Sequence, residues 1–308
     1  MKAVDVKGNP KVARVALIEL DDGSLIECVE SVQRPIPKSE KWVLIVSTLK
    51  GCPVKCPICD AGGHYNGKLS ADEILYQIDF FMDQQSRRSG KIPTKRLKIQ
   101  FARMGDPAFN DAVLEVLERL PERFGAGIQP SISTVAPHGR DRFLERLIEI
   151  KNEHYRNGWF QMQFSVHTTD ERRRKELIPI RTWSLEEMAA YGSRFFAAED
   201  RKISLNFAAV RGYPLDPEKL TALFSPREFI IKLTPINPTW SATQSNLVGR
   251  IDPTKPNDAK RIAATFEAEG FETIVSIGDL EENAIGSNCG MYVAERRRDC
   301  RSERRASR

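Results

Sequence analysis

The chain has 308 residues, 41% hydrophobic and 29% charged, which is enough apolar material for one large α/β domain or two small ones and too much for a disordered chain. No apolar run approaches the roughly eighteen residues of a membrane span, and Met1 to Pro10 shows no basic-then-apolar leader, so a cytoplasmic protein without membrane attachment is expected. The net charge of +5 is concentrated: Glu295 to Arg308 holds seven arginines against three acids, leaving the body nearly neutral.

Val12 to Leu20 and Leu25 to Val32 are strand-like runs on either side of Asp21-Asp22-Gly23-Ser24, a hairpin turn, and Arg34-Pro35-Ile36-Pro37 breaks the pattern. This predicts a small antiparallel flap over 1–40. From Trp42 onward, strand-type runs near 42–48, 97–102, 130–134, 160–166, 203–209, 228–234 and 271–277 alternate with helical stretches. The helices are expected at 70–82, 111–120, 141–151, 184–196, 217–224 and 257–269. Ser70 to Glu73 reads as a capping box, and Phe143, Leu144, Leu147 and Ile148 form one apolar stripe. Repeated βα units imply a parallel sheet with right-handed crossovers, here a partial (β/α) barrel over 41–294. The arginine-rich segment 295–308 lacks apolar periodicity and reads as a flexible tail or frayed helix that solubilises the chain or tracks phosphates.

Chemistry in such folds gathers at the C-terminal ends of the strands. The first barrel strand leads into Cys52, Cys56 and Cys59, a C-x-x-x-C-x-x-C array that delivers three thiolates to one place. Two readings fit: a four-iron cluster with one iron left open for a substrate, or a structural zinc with His64 as fourth ligand. The other cysteines, Cys28, Cys289 and Cys300, are too scattered for a secreted disulfide framework. Small and polar residues recur at the same rim: Met104-Gly105-Asp106-Pro107, Ser133-Thr134, Ser165-Val166-His167 and Pro235-Ile236-Asn237-Pro238. Singly each is a turn or a strand-end polar group, and Glu27 alone is a solvated strand residue.

Together and in this order, these motifs resemble the radical S-adenosylmethionine (SAM) superfamily, and within it the RlmN/Cfr branch of RNA adenine carbon-2 methyltransferases, over about Val12 to Val293. The resemblance implies a 4Fe-4S cluster on Cys52, Cys56 and Cys59, with SAM as cosubstrate on its open iron. It implies SAM contacts from Gly105, Asp106, Ser133, Ser165, Val166, His167 and Asn237. Leu177-Ile178-Pro179-Ile180 also recurs in the family. Cys289, in Gly286-Ser287-Asn288-Cys289-Gly290, takes the position of a cysteine that is methylated and then attacked by a radical, and Glu27 that of a proton acceptor. Adenine carbon 2 is electrophilic, so direct methyl transfer to it has no driving chemistry, and a methylated thiolate solves that problem. Ribosomal or transfer RNA as substrate, and an external electron donor such as flavodoxin or ferredoxin, follow from the same resemblance.

The family's second cysteine, which resolves the covalent RNA adduct, is replaced here by Ile45, and only about a dozen residues precede Val12 where the family carries a helical RNA-binding domain. Asp106 stands for a glutamate, Ile58 for a frequent aromatic, and Met291 for a glutamine. Cys28 neighbours Glu27 but on the alternate strand face, and Cys300 lies in the tail. Three readings therefore compete: a methyltransferase using Cys289, a radical enzyme that abstracts hydrogen from a non-RNA substrate without methylation, and a metal-stabilised RNA-binding protein without turnover.

Overall fold

The computed structural model describes residues 1–86, 94–278, 281, 285 and 290–306, with backbone alone for 84–86, 256 and 299–306. Ten strands form one sheet in the order β1-β2-β3-β4-β7-β8-β9-β10-β11-β12. The strands are β1 (Lys2–Asn9), β2 (Ala13–Glu19), β3 (Leu25–Ser31), β4 (Trp42–Val46), β7 (Leu97–Phe101), β8 (Ile128–Thr134), β9 (Gln161–Ser165), β10 (Ile203–Ala208), β11 (Phe229–Thr234) and β12 (Thr273–Val275). A two-stranded hairpin of β5 (Leu49–Gly51) and β6 (Tyr65–Lys68) stands apart and frames the cysteine loop.

From β4 through β12 every neighbouring pair is parallel, which is the partial (β/α) barrel expected. The expected N-terminal hairpin is β2 and β3, and the sheet continues without a break from β3 into β4 through Val29 opposite Ile45. Sequence reading missed β1, whose residues are mostly exposed and which is followed by Pro10, so no buried alternation marks it.

The helices between the parallel strands are α1 (Ala71–Ser86), α2 (Ala112–Phe124), α3 (Asp141–His154), α4 (Glu171–Leu177), α5 (Leu185–Phe195), α6 (Pro217–Leu223), α7 (Trp240–Gln244) and α8 (Pro256–Ala268). The Ser70–Glu73 box is made: Glu73 N–H donates to Ser70 Oγ at 3.1 Å, and Ser70 N–H donates to Glu73 Oε2 at 2.8 Å. In α3 the stripe buries Phe143, Leu144 and Leu147, each contributing about 1.5–3 kcal/mol of transfer free energy. Every residue of β10 is buried, as a central parallel strand requires.

A last helix, Met291–Ala306, runs into the arginine-rich segment that sequence alone read as a tail or frayed helix. The difference lies at its start: Tyr292 and Val293 are buried, and its first N–H groups are capped by a carboxylate from β3, described below. Among the described residues no helix is long and apolar enough to cross a membrane.

Candidate active site

A cleft of about 280 Å³ opens at the C-terminal ends of the parallel strands and collects most of the expected site residues. Cys52, Cys56, Cys59, Gly105, Asp106, Ser133, Ser165 and His167 all line it. Val166 does not: its side chain is fully buried and its N–H donates to Asn206 O at 2.9 Å. Asn237 is exposed and outside the lining. Cys289 lies outside the described residues.

The cysteine loop is fastened at both flanks. Before it, Ser47 Oγ donates to Glu27 O at 2.5 Å and accepts from Met104 N–H at 3.1 Å, while Gln77 bonds both Ser47 N–H and O. After it, Asp60 accepts from Trp240 N–H, Ser241 N–H and Ser241 Oγ at 2.7–3.1 Å, and Thr239 Oγ1 donates to Ile58 O at 3.1 Å. The loop following β11, which carries the Asn237-Pro238 motif, is thus clamped to the loop carrying the thiols.

Burial pushes Cys52 up to about 12, with Cys59 adding to the effect, and drives Cys56 well up, with Cys59 and Cys52 next in importance. Thiols this buried become thiolates together only when cations neutralise them. Among the described residues, however, no three Cys, His, Asp or Glu side chains converge on a point that would hold one metal ion. His64 is also absent from the cleft lining. Three thiols lining one cleft are a donor set for an iron–sulfur cluster or, with a fourth ligand, for a zinc.

Gly105 has φ +91°, and a Cβ there would fall 2.4 Å from Leu49 Cγ, so glycine alone lets the backbone pass so close to β5. Asp106 accepts from Ala108 N–H (2.9 Å), Thr134 Oγ1 (2.8 Å) and Val135 N–H (2.7 Å). Burial nonetheless raises it to about 6. His167 takes the left-handed conformation (φ +66°), and its Nδ1 accepts from Ala208 N–H at 3.1 Å. Burial, then Arg174, lowers it to about 4, so near neutral pH the ring is neutral and its proton sits on Nε2.

Glu27 is fully buried behind the cleft. Its Oε1 meets Arg103 Nη2 at 2.8 Å and Gly290 N–H at 2.5 Å, and its Oε2 accepts from Tyr292 and Val293 N–H at 3.1 Å each. It therefore caps the Met291–Ala306 helix, where a carboxylate complements the helix dipole. Burial raises its pKa; the Arg103 charge and the amides pull the other way. Gly290 has φ +79°, and a Cβ there would lie 2.2 Å from Ala61 N, so the residue after Cys289 rests on the cysteine loop.

Ile45 pairs with Gln100, which lines the cleft, so position 45 is on the cleft face of the sheet. Cys28 is on the opposite face: β2 and β3 pair in unbroken register with no bulge between them, Cys28 is wholly buried, and burial raises its thiol. Sequence reasoning missed Arg103 and Lys232 as lining residues and Asp60 as the clamp, because each acts with partners remote in sequence.

No known family profile matches the chain. Its sequence is 28% identical over 299 residues to a probable dual-specificity RNA methyltransferase RlmN of Streptomyces coelicolor, covering 92% of this chain and 74% of that protein. It is 24% identical over 305 residues to the dual-specificity RNA methyltransferase RlmN of Wolinella succinogenes, covering 90% and 80%. A radical SAM methyltransferase from Sphaerobacter thermophilus superposes with a TM-score of 0.73 at 21% identity, over 94% of this chain and 80% of that one.

The fold is the one seen in that radical SAM methyltransferase, and the cleft lies at the C-terminal ends of its parallel strands. In sequence the chain is similar to RlmN proteins, with Ile45 at the position the resemblance assigns to the resolving cysteine.

Proposed function

We propose that the chain holds a 4Fe-4S cluster on Cys52, Cys56 and Cys59, binds SAM beside it, and methylates an adenine of ribosomal or transfer RNA through Cys289. The observation that carries this reading is the gathering of the three cysteines with Gly105, Asp106, Ser133, Ser165 and His167 on one cleft at the C-terminal ends of the strands. Cluster and SAM, when bound and reduced by an external donor such as flavodoxin or ferredoxin, supply a carbon radical.

The chain's own residues do the rest. Gly105 lets backbone approach SAM closely, and Asp106, already oriented by Thr134 and Val135, accepts from the SAM amino group. Ser133 and Ser165 offer hydroxyls, and His167 offers an Nε2 proton. Asn237 and Val166 act through the loops that they anchor rather than from the cleft wall. Cys289 carries the methyl, and the packing of Gly290 on Ala61 supports its place beside the thiol loop. Glu27 receives the proton released from the product carbon, a role supported by its desolvation and by its tie to Gly290. The arginines after Glu295 steer RNA through its phosphates.

Anaerobic reconstitution tests the reading. About four irons per chain and reductive release of 5'-deoxyadenosine from SAM are expected, both lost in Cys56→Ala. Stoichiometric zinc with no SAM cleavage overturns it. Ile45 on the cleft face favours a second reading, in which the same radical abstracts hydrogen from a non-RNA substrate and no methyl is parked on Cys289.

A further inference from the structure

At the end of the barrel opposite the cysteines, five cations meet without an acid. Lys41, Arg96 and Arg201 precede β4, β7 and β10, at the N-terminal mouth of the barrel. Lys98 is the second residue of β7, paired with Val43 and Gln129. It shares a face with Gln100, two residues on, which lines the cleft, so Lys98 points into the lumen. Lys232 on β11 also reaches the lumen and lines the cleft from below.

None of the five forms an ion pair with a carboxylate among the described residues. Lys41 donates to Gln33 Oε1 (2.6 Å), Arg201 to Gly158 O (2.9 Å) and Lys232 to Gln163 Oε1 (3.1 Å), while Arg96 lies over the Trp159 ring at 5.6 Å. Lys98 is only 8% exposed. Gln129, the strand partner of Lys98, donates to the same Gly158 O (3.0 Å) that accepts from Arg201, and Arg96 lies over the next residue, Trp159, so these groups gather around 158–159; burial and then the neighbouring cations push Lys98 well down. An unpaired ammonium in a lumen is costly, and Met or Leu would fill the same space without that cost.

We propose that the N-terminal mouth of the barrel is an anion site, formed by Lys98 and Lys232 inside and by Lys41, Arg96 and Arg201 at the rim, for a phosphate or short oligophosphate group. Five cations exceed what one carboxylate neutralises, and lysine point charges with arginine forks suit phosphate oxygens. The site opens at the mouth opposite the thiols, shares Lys232 with the cleft lining, and does not depend on methyl transfer.

The test uses the full chain, titrated calorimetrically with orthophosphate, pyrophosphate and tripolyphosphate against chloride of equal ionic strength, with thermal unfolding in parallel. Wild type should bind tripolyphosphate and unfold at higher temperature with it. Lys98→Met should unfold at higher temperature than wild type without ligand, because a buried charge is gone, yet bind tripolyphosphate at least about tenfold more weakly. Should Lys98→Met not fold, Lys98→Gln and the rim pair Lys41→Gln with Arg201→Gln carry the same affinity comparison. Displacement of tripolyphosphate by a 5'-phosphorylated dinucleotide but not by its 5'-hydroxyl form supports the site with a nucleic-acid end as the source; displacement by neither supports it with a free small anion. No binding of any phosphate, or binding unchanged in these variants, overturns the proposal.

Discussion

Glu27 accepts a hydrogen bond from Gly290 N–H, joining residues 263 apart in sequence and tying the residue after Cys289 to β3. Through Arg103, which touches Glu27 at 2.8 Å and lines the cleft, the same carboxylate links the Cys289 segment to the wall of the site. One buried group thus serves the helix start, the ion pair and the placing of Gly290.

Removing that group has two separable effects. Glu27→Ala leaves the buried Arg103 charge without this carboxylate and the helix N–H groups without a cap, and should lower unfolding stability by roughly 3–5 kcal/mol in urea titration. Glu27→Gln keeps an acceptor oxygen and should cost less, while still removing the proton acceptor. Equal stability for Glu27→Ala and wild type would show that the cap and ion pair contribute nothing.

Gly290→Ala would force a Cβ within 2.2 Å of the Ala61 backbone at a φ of +79°. The cysteine loop must shift or the helix start must open, so iron retention after reconstitution should fall and stability should drop by about 1–3 kcal/mol. An alanine variant with wild-type iron content and melting temperature contradicts the close packing of these two loops.

The buried His167 predicts a pH dependence of definite sign. Its folded pKa, about 4, lies below the unfolded value, so between the two the unfolded chain binds more protons and stability falls as pH falls. From about pH 7.5 to about pH 5 the loss should be about 2 kcal/mol. His167→Asn, which tolerates the left-handed backbone, should lose that part of the slope. Parallel slopes for the two proteins in urea titrations at both pH values refute the assignment.

Ile45 bears on turnover. Its position on the cleft face means that Ile45→Cys presents a thiol to the chamber, whereas Cys28 faces the other way. If Cys289 forms a covalent RNA adduct, wild type should accumulate it after one turnover and Ile45→Cys should release it through a disulfide. Many turnovers by wild type, with Cys300→Ala alone trapping the adduct, would instead make Cys300 the resolver.

Local chemistry made much of this legible in sequence. The Asp21-Asp22-Gly23-Ser24 turn, the Ser70–Glu73 box and the apolar runs of β4, β7, β10 and β11 each carry their signal within a few residues, and the alternation of strand and helix gave the barrel. The thiols and the rim residues were readable because they follow strands directly. Unreadable were pairings across the sheet. Glu27 looked like a solvated strand residue because Arg103 and the start of the last helix, which bury it, lie far along the chain. Lys41, Arg96, Lys98, Arg201 and Lys232 carry no motif in the sequence, and only strand register brings their positions together. The exposed strand β1 gave no periodicity to follow.

The central claim, that Cys289 carries a methyl group, is tested most directly by peptide mass analysis of the protein after expression with active cluster assembly. The account predicts a Cys289 peptide one methyl group heavier than the sequence, and no such gain when Cys56→Ala prevents cluster formation. An unmodified Cys289 in protein that demonstrably cleaves SAM would contradict it and leave the non-methylating radical enzyme in its place.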